Sequence, residues 1–163
     1  MKRWIAAFLS CLLLSGCGNL TGGQHDTVTF YYVRSDYQAD MSSPIGTEQR
    51  DATGHRNDLR YFLAMYLMGP AQESLSSLLP SRTQILSLEE RDSQLVIRLS
   101  NLDEVLSDSD YSLACACLTL TFLELSGLQG ITVESGSRSI TMNQDNIAYF
   151  DTVLQSTETE ETS

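Results

Sequence analysis

The segment from Tyr111 to Ser126, YSLACACLTLTFLELS, holds a single charged residue, Glu124. Tyr111, Cys115, Leu118, Phe122 and Leu125 recur at helical spacing, with Leu113, Cys117, Leu120 and Leu123 forming a second apolar line beside them. Leu118 to Phe122 also alternates like a strand, but the whole run is too long for one and has no internal turn. It reads as a helix. Ser107, Asp108, Ser109 and Asp110 supply an acidic start that the helix dipole favours, and Gly127 supplies the stop. A helix apolar around most of its circumference must be buried on more than one side. Either a sheet and another helix of the same domain cover it, or a partner protein does.

A second helix is marked by Asn57 to Pro80, NDLRYFLAMYLMGPAQESLSSLLP. Leu59, Phe62, Leu63, Tyr66 and Leu67 give one apolar face. Asn57 or Asp58 can cap it, Gly69 suits a left-handed end, and Pro70 forbids continuation. A short apolar pattern, Leu75, Leu78 and Leu79, then closes on Pro80. The sharp stop fixes the direction in which the following strand leaves.

Strands surround these helices. Thr27 to Val33, TVTFYYV, has apolar residues on both faces and reads as an interior strand, its three aromatics serving the core. Arg34 to His55 is mixed and broken by Pro44, Gly46 and Gly54. It reads as a loop with an extended piece near Ile45 to Asp51, and as the place to seek partner contacts. Arg82 to Glu89 and Gln94 to Ser100 form an antiparallel hairpin about a polar turn. Gly130 to Glu134 is a short strand, Ser139 to Met142 a weaker one, and Asn143 to Leu154 irregular or a short helix.

The ends carry different signals. Met1-Lys2-Arg3 and the 11-residue apolar run Trp4 to Leu14 read as a signal segment, too short to span a bilayer. It closes on Leu14-Ser15-Gly16-Cys17, which resembles the lipobox of bacterial lipoproteins. That resemblance implies residues 1–16 are removed and Cys17 is lipidated. Removing Lys2 and Arg3 leaves eight basic against 21 acidic residues, a net charge of −13. Such a chain repels phosphate backbones and anionic head groups, so nucleic-acid partners are excluded and membrane contact falls to the lipid. Two acyl chains anchor far more firmly than one. Residues 17–26 form the lipidated cysteine and a glycine-rich tether, whose stretch from Gly18 to Asp26 spans at most ~30 Å. About 125 residues follow, enough for one core, giving a single domain over 27–154. Residues 155–163, QSTETEETS, read as a disordered acidic tail.

No cofactor or metal motif is present, and nothing marks a catalytic site. Cys115-Ala116-Cys117 lacks the two intervening residues of zinc and redox motifs, and neighbours two apart on a helix diverge. Buried small apolar residues are the better reading. His25 lies in the tether and His55 before the first helix, each without a second ligand nearby.

In order the elements run strand, helix, strand, strand, helix, strand, and the chain resembles a GerMN domain, the module of GerM-type spore-germination and sporulation lipoproteins. The residues that carry the likeness are TFYYV, Leu67-Met68-Gly69-Pro70, Leu75 to Pro80, Val96-Ile97-Arg98-Leu99-Ser100 and Gly130-Ile131-Thr132-Val133. They span roughly Thr27 to Met142. Arg98 stands where the family often has aspartate, and the chain has room for one module where GerM-type proteins carry two. The resemblance implies an α+β fold of β-α-β-β-α-β order, a mixed or antiparallel sheet with two helices on one face, similar to ring-building domains of secretion and sporulation complexes. It implies no enzymatic activity.

Three functions follow. The first is a membrane-anchored, extracytoplasmic assembly module, in sporulation, germination or another envelope task, whose partners are envelope or sporulation-complex proteins or copies of itself. The second is a lipoprotein that holds a peptide or glycan with Tyr31, Tyr32 and the Arg34–His55 loop. The third, a small wall hydrolase, needs two acids facing each other in a cleft.

Overall fold

The structure, a computed structural model, describes residues 26–38 and 43–147. The signal segment, Cys17, the tether with His25 and the acidic tail lie outside the described residues. β-branched and aromatic residues make Thr27–Arg34 the strand β1, whose alternate residues Val28, Phe30 and Tyr32 are buried. Antiparallel to it runs β2, Ile45–Asp51, in unbroken register from Thr27 opposite Asp51 to Val33 opposite Ile45. The extended piece read near Ile45 to Asp51 is therefore a full strand, half of a hairpin. Its sequence, IGTEQRD, offers no apolar alternation because it turns an acid inward, Glu48.

The helix α1, Leu59–Leu67, follows, with Asp58 as the cap: its carboxylate accepts the Tyr61 N–H at 2.9 Å. Phe62, Leu63 and Tyr66 form its buried face, and Gly69 takes the left-handed conformation just beyond its end, φ +83°. The chain then returns to β1 as β3, Leu75–Ser76, pairing only with Val33 and Arg34. These strands make a first sheet of order β2-β1-β3.

A second sheet is built from β4, Ile85–Arg91, and β5, Gln94–Leu99, joined at Asp92 and Ser93. Both turn residues have positive φ, as a tight hairpin compatible with strand twist requires. β6, Gly130–Ser135, lies parallel to β5, and β7, Arg138–Asn143, closes the order β4-β5-β6-β7. A parallel pair needs a long crossover. Here it consists of α2, Leu102–Val105, and α3, Asp108–Ser126, capped by Ser107 and ended by Gly127 at φ +65°.

The α+β class therefore holds, with a mixed second sheet, but the strands form two sheets and not one. The order is β-β-α-β-β-β-α-α-β-β. β2 coincides with the extended piece read near Ile45 to Asp51, although its pairing with β1 was not foreseen, and β3 was hidden by its two-residue length. The physical reason for two sheets is α3. It packs on β1 of the first sheet and on β6 and β7 of the second, and also touches α1. Leu118 and Phe122 are fully buried, and the rest of its core contacts include Tyr111, Cys115 and Cys117. The domain itself thus covers most of the helix. No helix among the described residues is long and apolar enough to cross a membrane.

Leu118→Ala should lower unfolding free energy by about 2–5 kcal/mol, through lost transfer energy and a residual cavity. Glu124→Ala, on the exposed side of the same helix, should stay within about 0.5 kcal/mol. Urea titration with an unchanged slope checks both.

Candidate functional site

Glu48 is only 3 % exposed, and the fold uses both of its oxygens. One pairs with the Arg50 guanidinium through Nε, and the other accepts the Ala71 and Gln72 N–H groups, each at 2.8 Å. Arg50 also donates through Nη2 to the Gly69 carbonyl at 2.9 Å. The turn from Gly69 to Gln72 is thus gripped at a carbonyl and at two amides, by side chains two residues apart on β2. Pro70 has no N–H to offer, so the next two amides carry the grip. A buried carboxylate with three partners from its own chain braces the fold.

Behind the clamp lies an aromatic cluster. Tyr32 stacks on Tyr66 at 4.6 Å and 15°, with Phe30 and Phe62 edge-on nearby. Tyr32 Oη donates to the Tyr66 carbonyl at 3.2 Å, and Tyr66 Oη donates to the Tyr31 carbonyl at 2.9 Å. Burial holds both phenols well above their ordinary pKa, so they remain donors. On the same residue, the Tyr31 N–H donates to Thr121 Oγ1 at 3.0 Å, and that hydroxyl donates in turn to the Cys117 carbonyl at 2.9 Å.

At the far end of β6 a second polar set fixes the crossover. The Ser135 hydroxyl, fully buried, accepts the Leu102 N–H at 3.0 Å and donates to Asp103 at 3.1 Å. Gly136 turns at φ +55°, which favours glycine, and a Cβ there would also displace the Asp103 carboxylate. Arg138 lies 3.9 Å above the Tyr111 ring and donates to the Leu106 carbonyl and to Asp108 at 3.0 and 2.9 Å. Arg98 faces Glu134 across the parallel β5–β6 register and donates to it at 2.6 and 2.9 Å.

A concavity of about 700 Å³ opens over α3. Leu120 and Leu123 of α3 line it with Tyr31, Leu128 and Ile147, while Glu124 and Asp145 bring negative charge. It joins three pieces far apart in the chain, which no local pattern could foretell.

The residues singled out in the sequence do not converge. Tyr31 lines this groove whereas Tyr32 is 1 % exposed in the core, so they cannot grip one ligand together. His55 stacks on Tyr61 at 3.7 Å. Cys115 and Cys117 are free and buried, and burial pushes each thiol from 9.0 up to about 12. Among the described residues no three His, Cys, Asp or Glu side chains gather as a metal site would need. Sequence reasoning missed the Glu48–Arg50 clamp. Its one visible signal was an acid and a base two apart in a strand-like stretch.

Comparison with known proteins places these features. The family model described as Germane, sporulation and spore germination, matches residues 29–140. No curated protein matches. Among solved structures, a candidate lipoprotein from Clostridium perfringens is similar at 19 % identity, over 76 % of this chain and 91 % of that one, with a TM-score of 0.46. The tandem GerMN domains of the sporulation protein GerM from Bacillus subtilis are similar at 16 % identity and a TM-score of 0.47. That match covers 72 % of this chain and 43 % of theirs.

Glu48→Ala should destabilise by about 3–5 kcal/mol, because it strands Arg50 and two amides in a partly buried site. The shift in denaturation midpoint at constant slope measures it. The thiols predict a pH dependence. The fold keeps both protonated while an unfolded chain ionises them near 9, so the native state binds more protons in that range. Stability should fall as pH rises from about 9 toward 12, by up to about 1.4 kcal/mol per pH unit for each thiol. Urea midpoints at about pH 8 and about pH 10.5 test this, and the loss should shrink in the Cys115→Ala, Cys117→Ala double variant.

Proposed function

The chain belongs to the Germane family of sporulation and spore germination domains, and from that premise we propose that it is a lipid-anchored, extracytoplasmic assembly module without enzymatic activity. The observation that carries the reading is the extent of the family match, which begins within β1 and ends within β7. The family's sporulation and germination setting calls for proteins that assemble at an envelope. Leu14-Ser15-Gly16-Cys17 after a short basic start and an apolar run supports an anchor at Cys17. The short stretch from Gly18 to Asp26 keeps the domain within ~30 Å of the bilayer.

The geometry supports contact rather than chemistry. Its most buried acid is spent on a turn of the same chain, and its buried serine on a helix start. The partners fitting this reading are other envelope or sporulation-complex proteins, or further copies of the domain. Strong net negative charge turns away nucleic acids and directs association toward basic or apolar protein surfaces.

Metabolic labelling with an alkyne-bearing fatty acid tests the anchor. The natural chain should take up label and sediment with membranes, and Cys17→Ala should lose both. A Cys17→Ala chain that remains labelled and membrane-bound overturns the anchor. In-cell cross-linking tests assembly: adducts with an envelope protein or a second copy are expected, and a strictly monomeric, uncross-linked chain overturns it.

A further inference from the structure

Two surfaces of the domain that face away from each other are complementary in charge and apolar character. We infer that copies of the chain join head to tail, the exposed face of α1 in one copy seated in the groove over α3 of the next. This deepens the assembly reading above and rests on it.

The outer face of α1 is unusual for a helix turned to solvent. Phe62, Leu63 and Tyr66 take its buried side. At about 100° per residue, Arg60, Tyr61, Ala64, Met65 and Met68 then occupy about 140° of the other side. Arg60 is the single charge among them, and none is an acid. Met68 is 85 % exposed, Arg60 and Ala64 are exposed, and Tyr61 and Met65 are half-buried. A surface helix normally turns a charged or polar face to water, so this one is made for cover. Asp58 at its start spends its carboxylate on the Tyr61 N–H.

The groove has the matching character. Leu120, Leu123 and Leu128 give it an apolar lining, Glu124 and Asp145 give it negative charge, and its described lining holds no base. Methionine side chains are unbranched and adapt to irregular gaps, so Met65 and Met68 suit such a concavity. Arg60 would then reach the acids at its edge.

Charge selects the arrangement. Groove against groove would oppose acids to acids, and α1 against α1 would oppose Arg60 to its own copy. Only the head-to-tail contact sets unlike charges together on apolar ground. Direction selects a second copy over closure within one chain. Phe122 of α3 meets Tyr66 of α1 at 6.4 Å, whereas Leu120 and Glu124 lie about 160–200° round the α3 axis from Phe122. Each copy therefore keeps one surface of each kind free, and the contact builds a ring where the rotation closes and a filament where it does not. Copies anchored at Cys17 to one bilayer would meet at raised effective concentration, so the contact can be weak and still form.

Thiol cross-linking of the full chain in cells with a short bismaleimide tests this. The double variant Met68→Cys, Gln129→Cys, both exposed positions and the second on the groove, should give a ladder of dimers, trimers and larger species. Either single substitution should give no more adduct than the natural chain. In the double background, Arg60→Glu should cut the ladder about tenfold, and adding Glu124→Arg should restore most of it. That rescue, with unchanged urea midpoints, separates a lost contact from a lost fold. A single variant that forms dimers overturns the proposal, since a surface would then meet its own copy. So do adducts with another protein alone, a result that leaves the assembly reading standing. A chain that keeps its fatty-acid label yet gives no adduct overturns the head-to-tail contact and leaves the anchor in place.

Discussion

Neither sheet of this domain can stand without α3. The first has three strands, one of them two residues long, and a sheet so small needs another element on its apolar face. The second buries both faces of β5, with Leu95, Val96, Ile97 and Leu99 all covered. α3 supplies apolar surface to both at once, and side chains such as Leu118 and Phe122 each contribute about 1.5–3 kcal/mol by leaving water. A helix with a single apolar stripe could have served one sheet only. The near-absence of charge from Tyr111 to Ser126 is thus the condition for a two-sheet domain of this size.

The Glu48–Arg50 clamp answers a different need. Burying an ion pair costs desolvation that the pairing rarely returns in full, so such a pair is weak as a source of stability. What it supplies here is geometry. Gly69 and Pro70 end α1 but do not determine where the chain goes next; the carboxylate on β2, by holding the Ala71 and Gln72 amides, does so. Leu75 then reaches β1 in register opposite Arg34. The Gly69-Pro70 stop therefore matters through what grips it as well as through the end it imposes.

How far the sequence spoke follows the range of the forces involved. Both principal helices were legible because their signals are local: Asp58 and Ser107 as caps, Gly69 and Gly127 as ends, and apolar residues at helical intervals between. The hairpin at Asp92-Ser93 was legible for the same reason. β2 was legible only as an extended piece near Ile45 to Asp51, without its pairing, since its inward residues are Glu48 and Arg50, whose burial is tolerable only because a turn more than twenty residues later completes it. β3 is two residues long and exists only through its partner. The division into two sheets depends on which strands pair, a tertiary fact that strand propensity does not carry. The groove, built from Tyr31, α3 and the end of β7, lay beyond any local reading, as did the opposed placement of Tyr31 and Tyr32 with respect to a common ligand.

The double capping of Tyr31 has a consequence for how copies of this domain behave when crowded. Past the two-residue β3, that flank of β1 would present bare amide and carbonyl groups, a template on which a stray chain could lay itself down. Thr121 takes the amide and Tyr66 takes the carbonyl, both from helices fixed in place. A foreign strand arriving there finds the ladder already closed at its midpoint. At this point of β1 the continuous backbone zippering that leads to fibres is blocked.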